Sequence, residues 1–185
     1  MQLKIKGKKD FALKDFSYNL EKKGNEIKVE NYKYVMTMVY FITIVADIIL
    51  ALLIMNNKSI CEEFYKIFFG LLFGFLSLPI HELLHAILYK EETYMYMDLF
   101  KGRAFVISKE MVSKNKYIFI SLFPNFILGI MPIIIGFLLE NLYLYFFGIY
   151  SIFIGVYDYI NVYYVLRTVP NNSKIFLTKN GGFWV

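Results

Sequence analysis

Residues 64–89 read FYKIFFGLLFGFLSLPIHELLHAILY, and this stretch decides the reading of the whole chain. It is long and apolar enough to cross a bilayer, which takes about 17–25 residues of helix. It nevertheless carries Pro79, His81, Glu82 and His85 in its second half. Three further runs have the same length and character: Tyr34 to Met55, interrupted only by Asp47; Tyr117 to Leu139, with no charge; and Leu142 to Leu166, holding Asp158. Across all 185 residues, 58% are hydrophobic and 19% charged, against about 45–50% and about 25% in soluble domains. Together with a mean hydropathy of +0.50, this excludes a free cytosolic globule and predicts an all-α integral membrane protein. Its expected form is a bundle of four membrane-spanning helices at about 34–55, 64–89, 117–139 and 142–166.

The connections give the orientation. Residues 1–32 carry eight lysines and five acids, residues 90–116 six bases and four acids, and the tail from Arg167 three bases and no acid. The turn Glu140–Asn141 has no base, and residues 56–63 have only Lys58. Lys and Arg thus alternate between connections as the positive-inside rule requires. Both termini and the 90–116 loop are expected on the cytoplasmic side of a bacterial cell membrane. The net charge of +5 is then topological, and no nucleic-acid partner is expected, since no basic helix carries interleaved aromatics. The chain reads as one membrane domain, 1–185: a polar head over 1–32, a spanning core over 33–166 and a tail over 167–185. No cleavable signal peptide is expected. The head is too charged to bury and suits either short strands or a partly ordered stretch on the membrane surface. Thr93–Leu99 and Arg103–Ser108, rich in Tyr, Phe, Val and Ile around Lys101–Gly102, predict a cytoplasmic β-hairpin over 93–108. Gly70 and Gly74 form a small-xxx-small pair suited to helix packing. The single cysteine, Cys61, excludes an internal disulfide and any multi-cysteine zinc knuckle.

His81 and His85 are the only histidines, and they stand at i and i+4, so both rings leave one helix face about a turn apart. That spacing lets two imidazoles bind one zinc ion, with Glu82 beside them as a general base. The carboxylate would take a proton from the attacking water and later return it to a leaving amine. Ionisable side chains inside a span are costly and point to function. Zinc that keeps one place for water needs a third protein ligand. With no further histidine, a carboxylate is required. Depth selects Asp158: it stands nine residues from the cytoplasmic end of its span at Arg167, as His81 does from Lys90. At about 1.5 Å per residue these groups share a level. Asp47 lies in the outer half of a span that runs the other way, and Glu140 at the outer turn. Asn125 and Asn161 fall at the same level. Asn161 suits a partner that orients Asp158, and Asn125 suits a substrate backbone or a developing oxyanion; either amide equally suits hydrogen bonding between helices. Pro79 and Pro124 free the carbonyls of Phe75 and Ile120 from their helical donors.

With HELLH in an apolar helix, SLFPN opening the next span, and GVYDYINVYYVLRTVPNNSKI beyond it, the chain resembles the small zincin metallopeptidases of bacterial membranes. That family is related in plan to the site-2 proteases. The resemblance covers roughly residues 75–180. It implies metal ligation by His81 and His85, the base role for Glu82, and the third ligand position for Asp158. The chain departs from typical site-2 proteases in having GVYDYIN where they carry an Asn-Pro-Asp-Gly run, and in having no PDZ-like domain.

The expected function is a zinc-dependent, membrane-embedded metalloprotease that holds one Zn2+ per chain. It would hydrolyse a peptide or membrane-protein substrate near the cytoplasmic leaflet. The rival class is a non-catalytic membrane protein that binds or transports metal, or holds a partner. A di-iron lipid hydroxylase would need many more histidines than two.

Overall fold

The computed structural model describes residues 3–6, 24–28, 34, 37, 38, 41, 45, 64–98, 103–178 and 181–185. Among these, the order is β1 (Leu3–Lys6), β2 (Asn25–Glu26), α1 (Phe64–Leu76), α2 (Leu78–Ile87), β3 (Thr93–Asp98), β4 (Arg103–Ser108), β5 (Val112–Ser113), α3 (Lys114–Pro124), a π-helical segment (Asn125–Ile130), α4 (Met131–Leu138), α5 (Leu142–Ile154), α6 (Val156–Thr168), β6 (Lys174–Thr178) and β7 (Gly181–Trp184). Of the expected span 34–55, residues 34, 37, 38, 41 and 45 are helical and exposed; the rest of it, Asp47 included, lies outside the described residues.

Among the described residues one helix, Lys114–Leu138, is long and apolar enough to cross a membrane. Phe64–Ile87 and Leu142–Thr168 qualify as bent pairs, with bends of 43° and 50°. The first break falls at Ser77, whose hydroxyl donates to Gly74 O at 2.6 Å, just before Pro79, which has no N–H for the preceding turn. The second falls at Gly155, the residue between α5 and α6. The long helix avoids a sharp bend by taking up a π-helical turn after Pro124, a device that inserts an extra residue into the helix and often lies at functional sites.

α5 sits between α1 and the π–α4 segment, and small residues let the backbones close in. A Cβ at Gly70 would stand 2.8 Å from Tyr143 O, and one at Gly74 2.8 Å from Tyr150 Cβ. The Gly70–Gly74 pair is thus the packing face its spacing suggests. Gly129 and Gly148 play the same part on the other side of α5, where a Cβ at Gly148 would stand 2.8 Å from Ile133 N.

The molecule is mostly helical but not all-α. The expected hairpin is present, with Thr93 opposite Ser108 through to Asp98 opposite Arg103. β1 from the polar head pairs parallel to β3, Leu3 beside Thr93, giving a three-stranded sheet ordered β1-β3-β4. The tail over 167–185, read from sequence only as a cytoplasmic tail, corrects the all-α expectation further. β6 and β7 pair antiparallel and join β5 and β2 in a second sheet ordered β2-β7-β6-β5. Lys174–Thr178 carries Ile and Phe that become buried, Ile175 completely, and Gly181 with φ 142° accepts a backbone region that other residues avoid. Ile175 belongs to one apolar cluster with Ala86, Tyr89, Met95, Val106, Tyr117, Ile120 and Val165. That cluster fastens both sheets beneath the ends of α2, α3 and α6. Burying each such side chain is worth about 1.5–3 kcal/mol, so the strands are held by tertiary packing.

Two polar ties complete this end of the molecule. Lys114, buried at the start of α3, donates from Nζ to Val169 O (2.6 Å), Asn171 Oδ1 (3.2 Å) and Leu166 O (3.4 Å). Three donors thus meet three acceptors, two of them carbonyls at the end of α6. Glu110 binds the backbone N–H of Lys90 and the Lys116 ammonium, each at 2.5 Å. Partial burial pushes the Glu110 carboxyl up, but these donors outweigh it and hold it below the ordinary carboxylate range.

Candidate metal centre

Three elements meet at the level where the polar residues were expected. α2 supplies His81, Glu82 and His85; α3 and the π segment supply Ile120, Ser121 and Asn125; α6 supplies Asp158. Helical spacing does what i, i+4 requires: the two imidazole rings lie 4.9 Å apart, inclined at 76°. Each faces a different oxygen of one carboxylate. His81 Nε2 lies 3.0 Å from Asp158 Oδ2 and His85 Nε2 3.4 Å from Asp158 Oδ1. One donor atom from each residue lies within 4.8 Å of the others. Residues 77 and 73 positions away in sequence are thereby closed into one cluster.

The donor set suits zinc. Zinc binds imidazole nitrogen and carboxylate oxygen at about 2.0–2.2 Å in a tetrahedron, which places neighbouring ligand atoms roughly 3.3–3.6 Å apart. The separations of 3.0 and 3.4 Å are close to such edges. His85 Nδ1 donates to the carbonyl of Ile120 at 2.9 Å. Because a carbonyl only accepts, a neutral His85 keeps its lone pair on Nε2, the nitrogen turned to the cluster. Nδ1 of His81 is buried with no hydrogen-bond partner among the described residues. Three candidate protein ligands would leave the fourth place of such a tetrahedron to water or substrate.

Glu82 is 8% exposed and is not one of the three grouped donors. Its electrostatic neighbours are His85, His81 and Asp158. No described residue hydrogen-bonds its carboxylate, so neither oxygen is committed to a partner among the described residues.

The two asparagines divide differently from their expected roles. Asn125, 1% exposed, donates from Nδ2 to Asp158 Oδ2 at 3.0 Å and to Ser121 O at 3.3 Å. The orienting contact expected of Asn161 is therefore made by Asn125. Asn161 is partly buried, and both Asp158 oxygens are engaged across the bundle instead. Sequence reasoning also missed Gly155. A Cβ built there would fall on the Asn125 amide oxygen, an atom that is buried and has no conventional donor. A glycine hydrogen stands where that Cβ would be, aimed at the oxygen, in the manner of a weak Cα–H···O contact. Only its place three residues before Asp158 could have marked it.

Gly155→Ala is expected to push Asn125 off Asp158. Zinc affinity should fall about 10–100-fold, the usual loss when a ligand's supporting partner is removed, and overpacking should cost about 1–3 kcal/mol. Competition against a chromophoric chelator and thermal unfolding in detergent measure the two. Unchanged affinity would show that Asn125 is not needed at the carboxylate.

Residues 74–174 match the model of one protein family, described as "Putative zincin peptidase". The matched stretch contains His81, Glu82, His85, Asn125, Gly155 and Asp158, and so the whole cluster. No curated protein and no solved structure matches the chain.

Proposed function

Because the chain belongs to this family, we propose that it is a zinc-dependent metallopeptidase of the HExxH type, embedded in the membrane and similar in plan to the site-2 proteases. The observation that carries the reading is the closed group of His81, His85 and Asp158 with an uncommitted Glu82 against it. A zinc ion held there supplies a Lewis acid and brings the pKa of a coordinated water to about 7. Glu82 takes a proton on its carboxylate and later releases it to the departing amine. Asp158 and His85 are held in place by Asn125 and Ile120 while this happens.

Membrane embedding is supported by the apolar side chains that remain exposed. Phe73, Ile134, Phe137 and Leu138 are all more than half exposed, far more than a water-soluble surface tolerates in contiguous patches. We read 64–89, 117–139 and 142–166 as crossings, with 34–55 as the fourth, within one domain. Both termini and the hairpin lie on the cytoplasmic side, by the charge distribution. The substrate is a peptide or a membrane protein. Because β3 is paired on both sides, by β1 and β4, the edges of the hairpin sheet among the described residues are β1 and β4, and an extended segment can pair at β4.

Metal analysis of the protein in detergent, with a fluorogenic peptide library, tests this reading. One zinc per chain and hydrolysis that stops on chelation and returns with added zinc are expected. Absence of stoichiometric metal, or hydrolysis that survives chelation, would overturn it. Metal flux into liposomes without hydrolysis would favour the transport class instead.

A further inference from the structure

Pro124 and Asn125 are chain neighbours, yet each serves a different member of the cluster. Proline has no N–H, so in a helix the carbonyl four residues earlier has no donor. In α3 that carbonyl belongs to Ile120. A buried carbonyl left unpaired is costly, and this one is bonded by His85 Nδ1 at 2.9 Å. The gap that proline leaves in one helix is filled by a histidine from another. The next residue, Asn125, turns its Nδ2 to Asp158 at 3.0 Å as the chain enters the π-helical turn.

We propose that the Pro124–Asn125 pair is the positioning element of the site: Pro124 fixes the tautomer of His85 by freeing the Ile120 carbonyl, and Asn125 holds Asp158. What the Nε2 lone pair then binds rests on the metallopeptidase reading; the tautomer itself does not. Another residue at 124 restores a helical N–H aimed at Ile120 O. A carbonyl oxygen can accept twice, but the helical donor draws it into line with the helix axis and weakens its bond to the imidazole. Neither residue needs to touch a substrate for this, so both are positioning residues and not catalytic ones.

Pro124→Ala is the test, read three ways in the full-length protein in detergent. Imidazole 15N NMR is simple here because there are two histidines, and a His81→Ala variant assigns them. Without metal, at a pH where His85 is neutral, it is expected as the Nδ1–H tautomer in the parent and, in Pro124→Ala, as a mixture with the Nε2–H form that faces Asp158 Oδ1. Zinc affinity should fall about 10–100-fold. Thermal stability should change little, because alanine's better fit to a helix interior offsets the space left by the fully buried proline ring. Affinity lost while stability holds separates positioning from folding. Asn125→Ala gives the second arm: zinc affinity falls by a similar factor while the His85 tautomer is retained. An unchanged tautomer in Pro124→Ala, or a lost one in Asn125→Ala, overturns the proposal. A parent protein without zinc would overturn the metallopeptidase reading alone, since the tautomer experiment needs no metal.

Discussion

Glu82→Gln is expected to keep one zinc per chain and to lower peptide hydrolysis by about a hundred- to ten-thousand-fold, the range that general acid–base groups contribute. The substitution preserves shape and removes one property, the ability to take up a proton. Glu82 stands beside the three grouped donors without being one of them, so metal content should be indifferent to it. Nothing in the described protein holds its carboxylate, so no internal hydrogen bond is lost. The paired measurement is metal content and initial rate on the same preparation. A Gln variant that cleaves like the parent removes Glu82 from the chemistry, and one that loses zinc makes it a ligand.

The second large effect concerns Asp158. Its two oxygens face the two histidines separately, at 3.0 and 3.4 Å, so truncation removes a donor and the group that gathers the others. Asp158→Ala and His81→Ala should each abolish stoichiometric zinc, a greater loss than the 10–100-fold expected when a supporting partner alone is removed. Asn161→Ala is the control and should leave metal content unchanged, because the carboxylate is held by Asn125. Inductively coupled plasma analysis after dialysis against weak chelator reads all three. Full zinc occupancy in Asp158→Ala would strike it from the ligand set.

The cluster was legible in sequence to different depths. His81 and His85 are local: a helix brings i and i+4 together whatever surrounds it. Asp158 is 73 residues beyond His85, and it could be named because a membrane turns position in a span into depth. The expected spans 64–89 and 142–166, taken to run the same way, carry His81 and Asp158 at the same distance from their basic ends. The hairpin over 93–108 was legible from β-branched and aromatic runs around a turn. The sheet built from the tail was not. Lys174–Thr178 offers only the short apolar run Ile175–Leu177, and its partners, β5 and β7 on either side and β2 beyond β7, come from three separate places in the chain. The parallel pairing of β1 with β3 joins residues some 90 positions apart, which no local pattern encodes.

Depth sorted residues by level but not by direction around each helix. Asn125 and Asn161 share a level, and only the packing decides that Asn125 reaches Asp158 while Asn161 does not. The packing in turn hangs on small residues. Gly155 leaves space for the Asn125 amide, and the bend of 50° at the same residue aims α6. By itself, then, the amino-acid sequence determined an apolar, helix-rich chain, a histidine pair with its glutamate on one helical face, and the need for a carboxylate to complete the site. Those follow from periodicity, hydropathy and residue counts, which act within one segment. Which amide orients the carboxylate, which carbonyl selects the His85 tautomer and how the two sheets seat the helix ends were decided by the tertiary structure. These contacts exist only once separate segments approach within van der Waals distance.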